Sequence, residues 1–245
     1  MTASALLILI TVLFAALSAI IAVRFYWQNR NTTHIRRPRT ALASGSQILV
    51  QQVVVLIAII LFTVFGGFGL YDLGASRTIH PVFSFVIGFG VYFVVLGVIE
   101  AAAAGLGIRE RLHQLSYDTM RMIWPRDPNQ KILAFLAVCL LNPFTEEVIY
   151  RGVLVHHLGG LIENIFAAVL IGFVLSIAAH MYQGSWSIPF QMAFHSVAIL
   201  LLLSPLGLIA CFGFHFAGDL VPVMLLKKSM HERRERFRKE RASSV

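Results

Sequence analysis

The chain has 245 residues, of which 58% are hydrophobic, and only 13% carry charge. A water-soluble domain cannot hide that much apolar surface, so the composition excludes a soluble fold and predicts an all-α, polytopic membrane helix bundle. The formal net charge is +8, and it is unevenly spread: residues 227–241 carry eight Lys and Arg against three Glu. A basic tail next to a membrane segment points to cytoplasmic retention and attraction to anionic lipid rather than to nucleic acid.

The first apolar run, Ala5 to Val23, has no preceding Lys or Arg and is followed by Arg24, Arg30, Arg36, Arg37 and Arg39. A cleavable signal peptide has the opposite charge order and a shorter apolar core, so this run is expected to be a retained membrane helix with its N-terminus outside. Further spans are expected at 48–70, 81–104, 132–158, 165–181, 187–203 and 206–226, about seven transmembrane helices in all. Seven crossings place the basic segments 24–39, 109–131 and 227–241 together in the cytoplasm. The loops 71–80, 159–164 and 204–205 on the other side hold only Arg77 among Lys and Arg, which is the positive-inside pattern. Residues 109–124 mix charged and apolar side chains and read as an interfacial helix ending at Pro125. The resulting organisation is N-terminal membrane helices over 1–108, a cytoplasmic interfacial segment over 109–131, a membrane core over 132–226 and a basic cytoplasmic tail over 227–245. The two cysteines, Cys139 and Cys211, fall in apolar runs and imply no disulfide framework.

Segment 132–158 is long and contains Asn142-Pro143. Asn at an N-cap and Pro at the first helical position form a helix-start signal, so one helix is expected to stop near Leu141 and another to begin at Pro143. Glu146 and Glu147 follow within an apolar stretch. A carboxylate pair at bilayer depth is costly unless something uses or neutralises it. Adjacent helical residues point about 100° apart, so the two acids have separate surroundings. Glu147 lies four residues before Arg151, the favourable order for an ion pair. That leaves Glu146 without a local cation, and with Tyr150 one turn on as a hydrogen-bond donor. The spacing alone equally allows a structural charge cluster.

Of nine histidines, His180, His195 and His215 lie in apolar runs. Asp219 is one turn beyond His215 on the same face, so the two either bond to each other or converge on one ligand. His180 ends an apolar helix. His195 has Ile199 one turn on and is left out of the site. One carboxylate and one imidazole can hold and deprotonate water. A second His with Asp219 can stabilise an oxyanion. The same Glu146, His180 and His215 set suits zinc, whose bound water would serve equally well.

These residues carry a family resemblance. Glu146-Glu147-Val-Ile-Tyr-Arg151-Gly152 resembles the EExxxRG motif of the CAAX-processing and bacteriocin-processing (CPBP, or Abi) membrane proteases. Ser176-Ile-Ala-Ala-His180 is similar to that family's FxxxH motif, and His215-Phe-Ala-Gly-Asp219 to its His-x-x-x-Asn/Asp motif. The motifs occur in order, about 35 residues apart, and the resemblance covers about 130–226. It implies that Glu146 and His180 activate water, that His215 and Asp219 stabilise the oxyanion, and that Glu147 and Arg151 support them. It also implies a metal-free glutamate-type peptidase with no cofactor, zinc being the alternative, acting on a membrane-associated peptide or protein, lipidated or not. Two departures stand out. Ser176 replaces the Phe of the second motif, with Phe173 the nearest upstream. Asp219 stands where many relatives have Asn, and an ionised Asp cannot donate to an oxyanion. The competing expectations are a non-catalytic immunity or scaffold relative and a proton-coupled transporter, which would show internal repeats that this chain lacks.

One geometric tension follows from these spans. Glu146 lies some 15 residues from the cytoplasmic start of its segment, while His180 lies near the cytoplasmic end of the next. Straight helices would put them at different depths.

Overall fold

The computed structural model describes residues 3–29, 53, 57, 69–125, 127–184 and 187–243. Among these the fold is all-α. The helices are α1 (Ala3–Asn29), α2 (Pro81–Gly105), α3 (Arg109–Ile123), α4 (Lys131–Leu161), α5 (Ile165–Ala179), α6 (Ile188–Leu203) and α7 (Gly207–Ser243). Five of them, α1, α2, α4, α5 and α7, are long and apolar enough to cross a bilayer, and α6 is a shorter apolar helix. The chain is a multi-pass membrane protein. The span expected at 48–70 lies outside the described residues, apart from Val53, Ile57, Gly69 and Leu70.

Helix α4 is the hub, packing against α1, α5 and α7, while α6 lies across α5 and α7. The core joins Val148, Val153 and Val155 of α4 to Phe194, Ala198 and Leu202 of α6 and to Ala210, Phe214 and Ala217 of α7. Helix α2 runs along α7. It starts where sequence chemistry dictates: Pro81 occupies its first turn, and Nδ1 of His80 accepts a bond from the Val82 amide at 3.3 Å.

The α2–α7 approach depends on two glycines. A Cβ built at Gly88 would lie 2.0 Å from the Ala210 carbonyl oxygen, and one at Gly213 would lie 2.2 Å from that of Phe85. Small residues let membrane helices pack backbone to backbone. Gly88→Ala should therefore lower the thermal midpoint in detergent, although Ala favours helix; overpacking of this kind costs about 1–3 kcal/mol. An unchanged or raised midpoint would show that this contact is not made.

A helix, α3, occupies the segment expected to lie at the interface. Glu100 near the end of α2 accepts bonds from Arg109 Nε and His113 Nε2, both at 2.8 Å. Met120 and Trp124 then bury against Ala134 at the start of α4.

The chain does not break at Asn142-Pro143, contrary to the sequence expectation. Leu141 and Asn142 both have right-handed helical dihedrals, and α4 continues through them. The proline is accommodated by a π-helical run over Leu136–Leu141, in which the Asn142 amide bonds the Ala137 carbonyl, five residues back. The wider π turn relieves the clash that a proline ring makes with the preceding α turn. Thr145 Oγ1 donates to the carbonyls of Leu141 at 2.9 Å and Asn142 at 3.0 Å, occupying acceptors around the missing donor. A second π-helical run spans Val148–His157.

Continuity also removes the depth tension. Helices α4 and α5 are joined by a turn at 162–164. Glu146 lies 15 residues before Leu161, and His180 lies 15 after Ile165. At 1.5 Å per residue both sit roughly 22 Å from that turn, at the same level. The tension arises only when Glu146 is measured from the other end of its helix. That helix spans 31 residues, roughly 46 Å and longer than the hydrocarbon layer is thick.

Candidate active site

Four helices bring their polar side chains to this level. Helix α4 carries Asn142, Glu146, Glu147 and Arg151. His180 caps the end of α5, His195 is on α6, and His215 and Asp219 are on α7.

The two glutamates diverge as their helical offset requires. Glu147 is 1% exposed and points into protein. Its Oε1 lies 3.1 Å from Arg151 Nη1, one turn on, and accepts a bond from His215 Nδ1 at 2.7 Å. Arg151, also 1% exposed, reaches past Glu147 and donates from Nη2 to Nδ1 of His195. Ionised groups survive burial only when paired and bonded in this way.

Glu146 keeps a 21% exposed side chain. Its Oε1 accepts a bond from Asn142 Nδ2 at 3.1 Å. Its Oε2 lies 3.5 Å from His180 Nε2 and 3.7 Å from His215 Nε2, and has no hydrogen-bond partner among the described residues. Asp219 Oδ2 stands 3.9 Å from the same His215 nitrogen, also without a partner among the described residues. Tyr150 makes no bond to Glu146; it packs with Ala15, Ile149 and Leu154.

Backbone chemistry sets one imidazole tautomer. His180 Nδ1 lies 2.8 Å from the Ser176 carbonyl oxygen. A carbonyl only accepts, so Nδ1 carries a proton and donates, and Nε2 is the ring nitrogen turned toward Glu146. Ser176, at the position where the motif has Phe, is 1% exposed and donates its own hydroxyl to the Phe173 carbonyl at 2.9 Å. A small residue there leaves the end of α5 closely packed. His215 is held by Glu147 through Nδ1, which leaves its Nε2 facing Glu146 and Asp219.

All six residues singled out from the sequence, Glu146, Glu147, Arg151, His180, His215 and Asp219, therefore meet in one cluster. Sequence reasoning misses two others. His195 has no polar residue one turn on, but its partner comes from α4, and its ring lies 5.3 Å from that of His180. It is fully buried. Asn142 reads in the sequence only as a helix start. The His195 connection has no local sequence signal, whereas Asn142 lies one turn before Glu146, a spacing that the helix-start reading hides. Among the described residues no group of three or more His, Cys, Asp or Glu is arranged to hold a metal ion. Both cysteines are free and buried.

The family profile described as "Type II CAAX prenyl endopeptidase Rce1-like" matches residues 128–227, the segment that holds every residue of the cluster. Comparisons with curated proteins and with solved structures returned no match. Residues 128–227 thus match an Rce1-like domain, in agreement with the CPBP-like motifs that this segment contains.

Proposed function

We propose that the chain is an intramembrane endopeptidase that cleaves a peptide bond in a membrane-associated or lipidated peptide tail, using water activated by Glu146 and His180. The carrying observation is Glu146 Oε2, which has no hydrogen-bond partner among the described residues and lies 3.5 Å from Nε2 of His180. In the neutral Nδ1–H form of His180 both groups accept hydrogen bonds, so they do not satisfy each other, whereas one water molecule can donate to both.

In the reaction the water oxygen attacks the scissile carbonyl carbon while Glu146 takes one water proton. The tetrahedral intermediate carries its negative charge on the former carbonyl oxygen, and the imidazolium of His215 donates to it from Nε2. Glu146 then delivers its proton to the leaving nitrogen as the C–N bond breaks, giving a carboxylic acid and an amine, which exchange the remaining proton to become carboxylate and ammonium. Glu147 accepts from Nδ1 and holds the imidazolium in place. An ionised Asp219 has nothing to donate to the oxyanion; facing Nε2 at 3.9 Å, it stabilises and orients the imidazolium instead.

In the expected orientation, N-terminus outside and C-terminus cytoplasmic, the His180 end of α5 lies on the cytoplasmic side, where lipidated tails reside and where the basic tail meets anionic lipid. The test uses the full chain in lipid nanodiscs with three probes: a farnesylated CAAX peptide, its unmodified counterpart and a membrane-anchored leader peptide. Mass spectrometry should find internal cleavage of at least one. The metal-free route further predicts that cleavage survives prolonged chelation by a zinc chelator. Cleavage lost to the chelator and restored by zinc would replace the proposed water activation by a metal-bound one. No cleavage of any probe, together with saturable binding of one of them, would favour a non-catalytic relative.

A further inference from the structure

Asn142 has no part in starting a helix, since the chain is already helical on both sides of it. Its position one turn before Glu146 gives it a different task. Nδ2 donates to Glu146 Oε1 at 3.1 Å, and the same side chain also acts on the Asp219 carboxyl of α7. An amide nitrogen carries two protons, so one Asn can donate to two carboxylates at once. These two acids flank the same nitrogen, His215 Nε2, at 3.7 and 3.9 Å. Like charges this close repel, and more strongly in a low-dielectric interior than in water. A Glu side chain left to itself would swing away. The bond to Oε1 opposes that swing and leaves Oε2 aimed at both imidazoles.

We propose that Asn142 is a positioning residue for the peptidase reaction: its amide bridges Glu146 and Asp219 and holds Glu146 Oε2 toward His180 and His215. The inference rests on the peptidase reading given above. It follows that the need for Asn142 is tied to the acid at 219. An Asn there is uncharged, so Glu146 would no longer face a repelling neighbour.

The experiment is a double-mutant cycle on the full chain in nanodiscs, with a quenched fluorescent farnesylated CAAX peptide as probe. Asn142→Leu keeps the side-chain shape and removes both donors. Misplacing a catalytic group by a fraction of a bond length lowers turnover steeply, so kcat should fall roughly 10²-fold while KM changes less than about 3-fold. In an Asp219→Asn background the same change should cost roughly tenfold or less, because the two sites are coupled. Equal losses in both backgrounds, a change confined to KM, or no loss would overturn the proposal.

A second arm needs neither cleavage nor a folded Asn142 variant. With ¹⁵N-asparagine labelling, Glu146→Gln should shift one side-chain amide proton of Asn142, and Asp219→Asn should shift the other. No shift, or the same proton moving in both variants, would overturn the bridge. A chain that shows both shifts but cleaves nothing loses the peptidase reading and keeps the bridge. One that cleaves in a Glu146-dependent manner without the shifts loses only the bridge.

Discussion

Glu146→Gln should abolish measurable peptide cleavage while leaving an inserted, folded protein; a positioned general base is worth roughly 10²–10⁴-fold in rate. Gln is isosteric, and its carbonyl oxygen can still accept from Asn142 Nδ2 as Glu146 Oε1 does. Its nitrogen, however, would donate toward His180 Nε2 and cannot take a proton from water. The side chain keeps partial exposure, so the change creates no cavity and strands no buried ion. The check is kcat for the peptide probe beside the elution profile and thermal midpoint of the variant. Cleavage within about threefold of wild type would remove Glu146 from the reaction. Cleavage lost together with the fold would show that Glu146 is structural, the charge-cluster reading.

Arg151→Leu should be the most destabilising single change in the cluster. Arg151 lies 3.1 Å from Glu147 and donates to His195, and all three side chains are shut away from solvent. Removing one partner of such a pair leaves an uncompensated buried charge, at about 3–5 kcal/mol. For a chain of this size that is roughly a 10 °C drop in thermal midpoint. Arg151→Lys should rescue little, because an ammonium is a point donor and cannot serve Glu147 and His195 together. Removing both partners, Glu147→Leu with Arg151→Leu, should recover part of the stability, since no lone charge remains. It should not recover cleavage, because His215 Nδ1 then loses its acceptor. A midpoint for Arg151→Leu within about 2 °C of wild type would show that the pair is not buried as described.

The parts legible in the sequence share a physical property: they depend on neighbours within one helical turn. Glu147 and Arg151 pair because residues four apart share a face. Glu146 is left free of that pair by the rotation of a single residue. His215 and Asp219 flank one region for the same reason. Helix α3 could be read from its alternation of charged and apolar residues, and its end from Pro125.

What failed was tertiary. Local chemistry at Asn142-Pro143 indicates a helix start, yet packing of α4 against α1, α5 and α7 favours one continuous rod, and π-helical turns absorb the proline. His195 has no local partner because its partner is supplied by α4. The second acid beside Asn142, Asp219, comes from α7, 77 positions away in the chain (219 minus 142).

Composition and short-range spacing by themselves determined that this chain is a multi-pass helical membrane protein and which acid would be paired, because apolar transfer and i,i+4 geometry act along a single segment. Only the assembled bundle decided that Glu146 and His180 stand at one depth, that His195 props Arg151, and that Asp219 stands across His215 Nε2 from Glu146. Those outcomes turn on how far each helix slides past its neighbours, and side-chain packing sets that slide rather than any periodicity written along the chain.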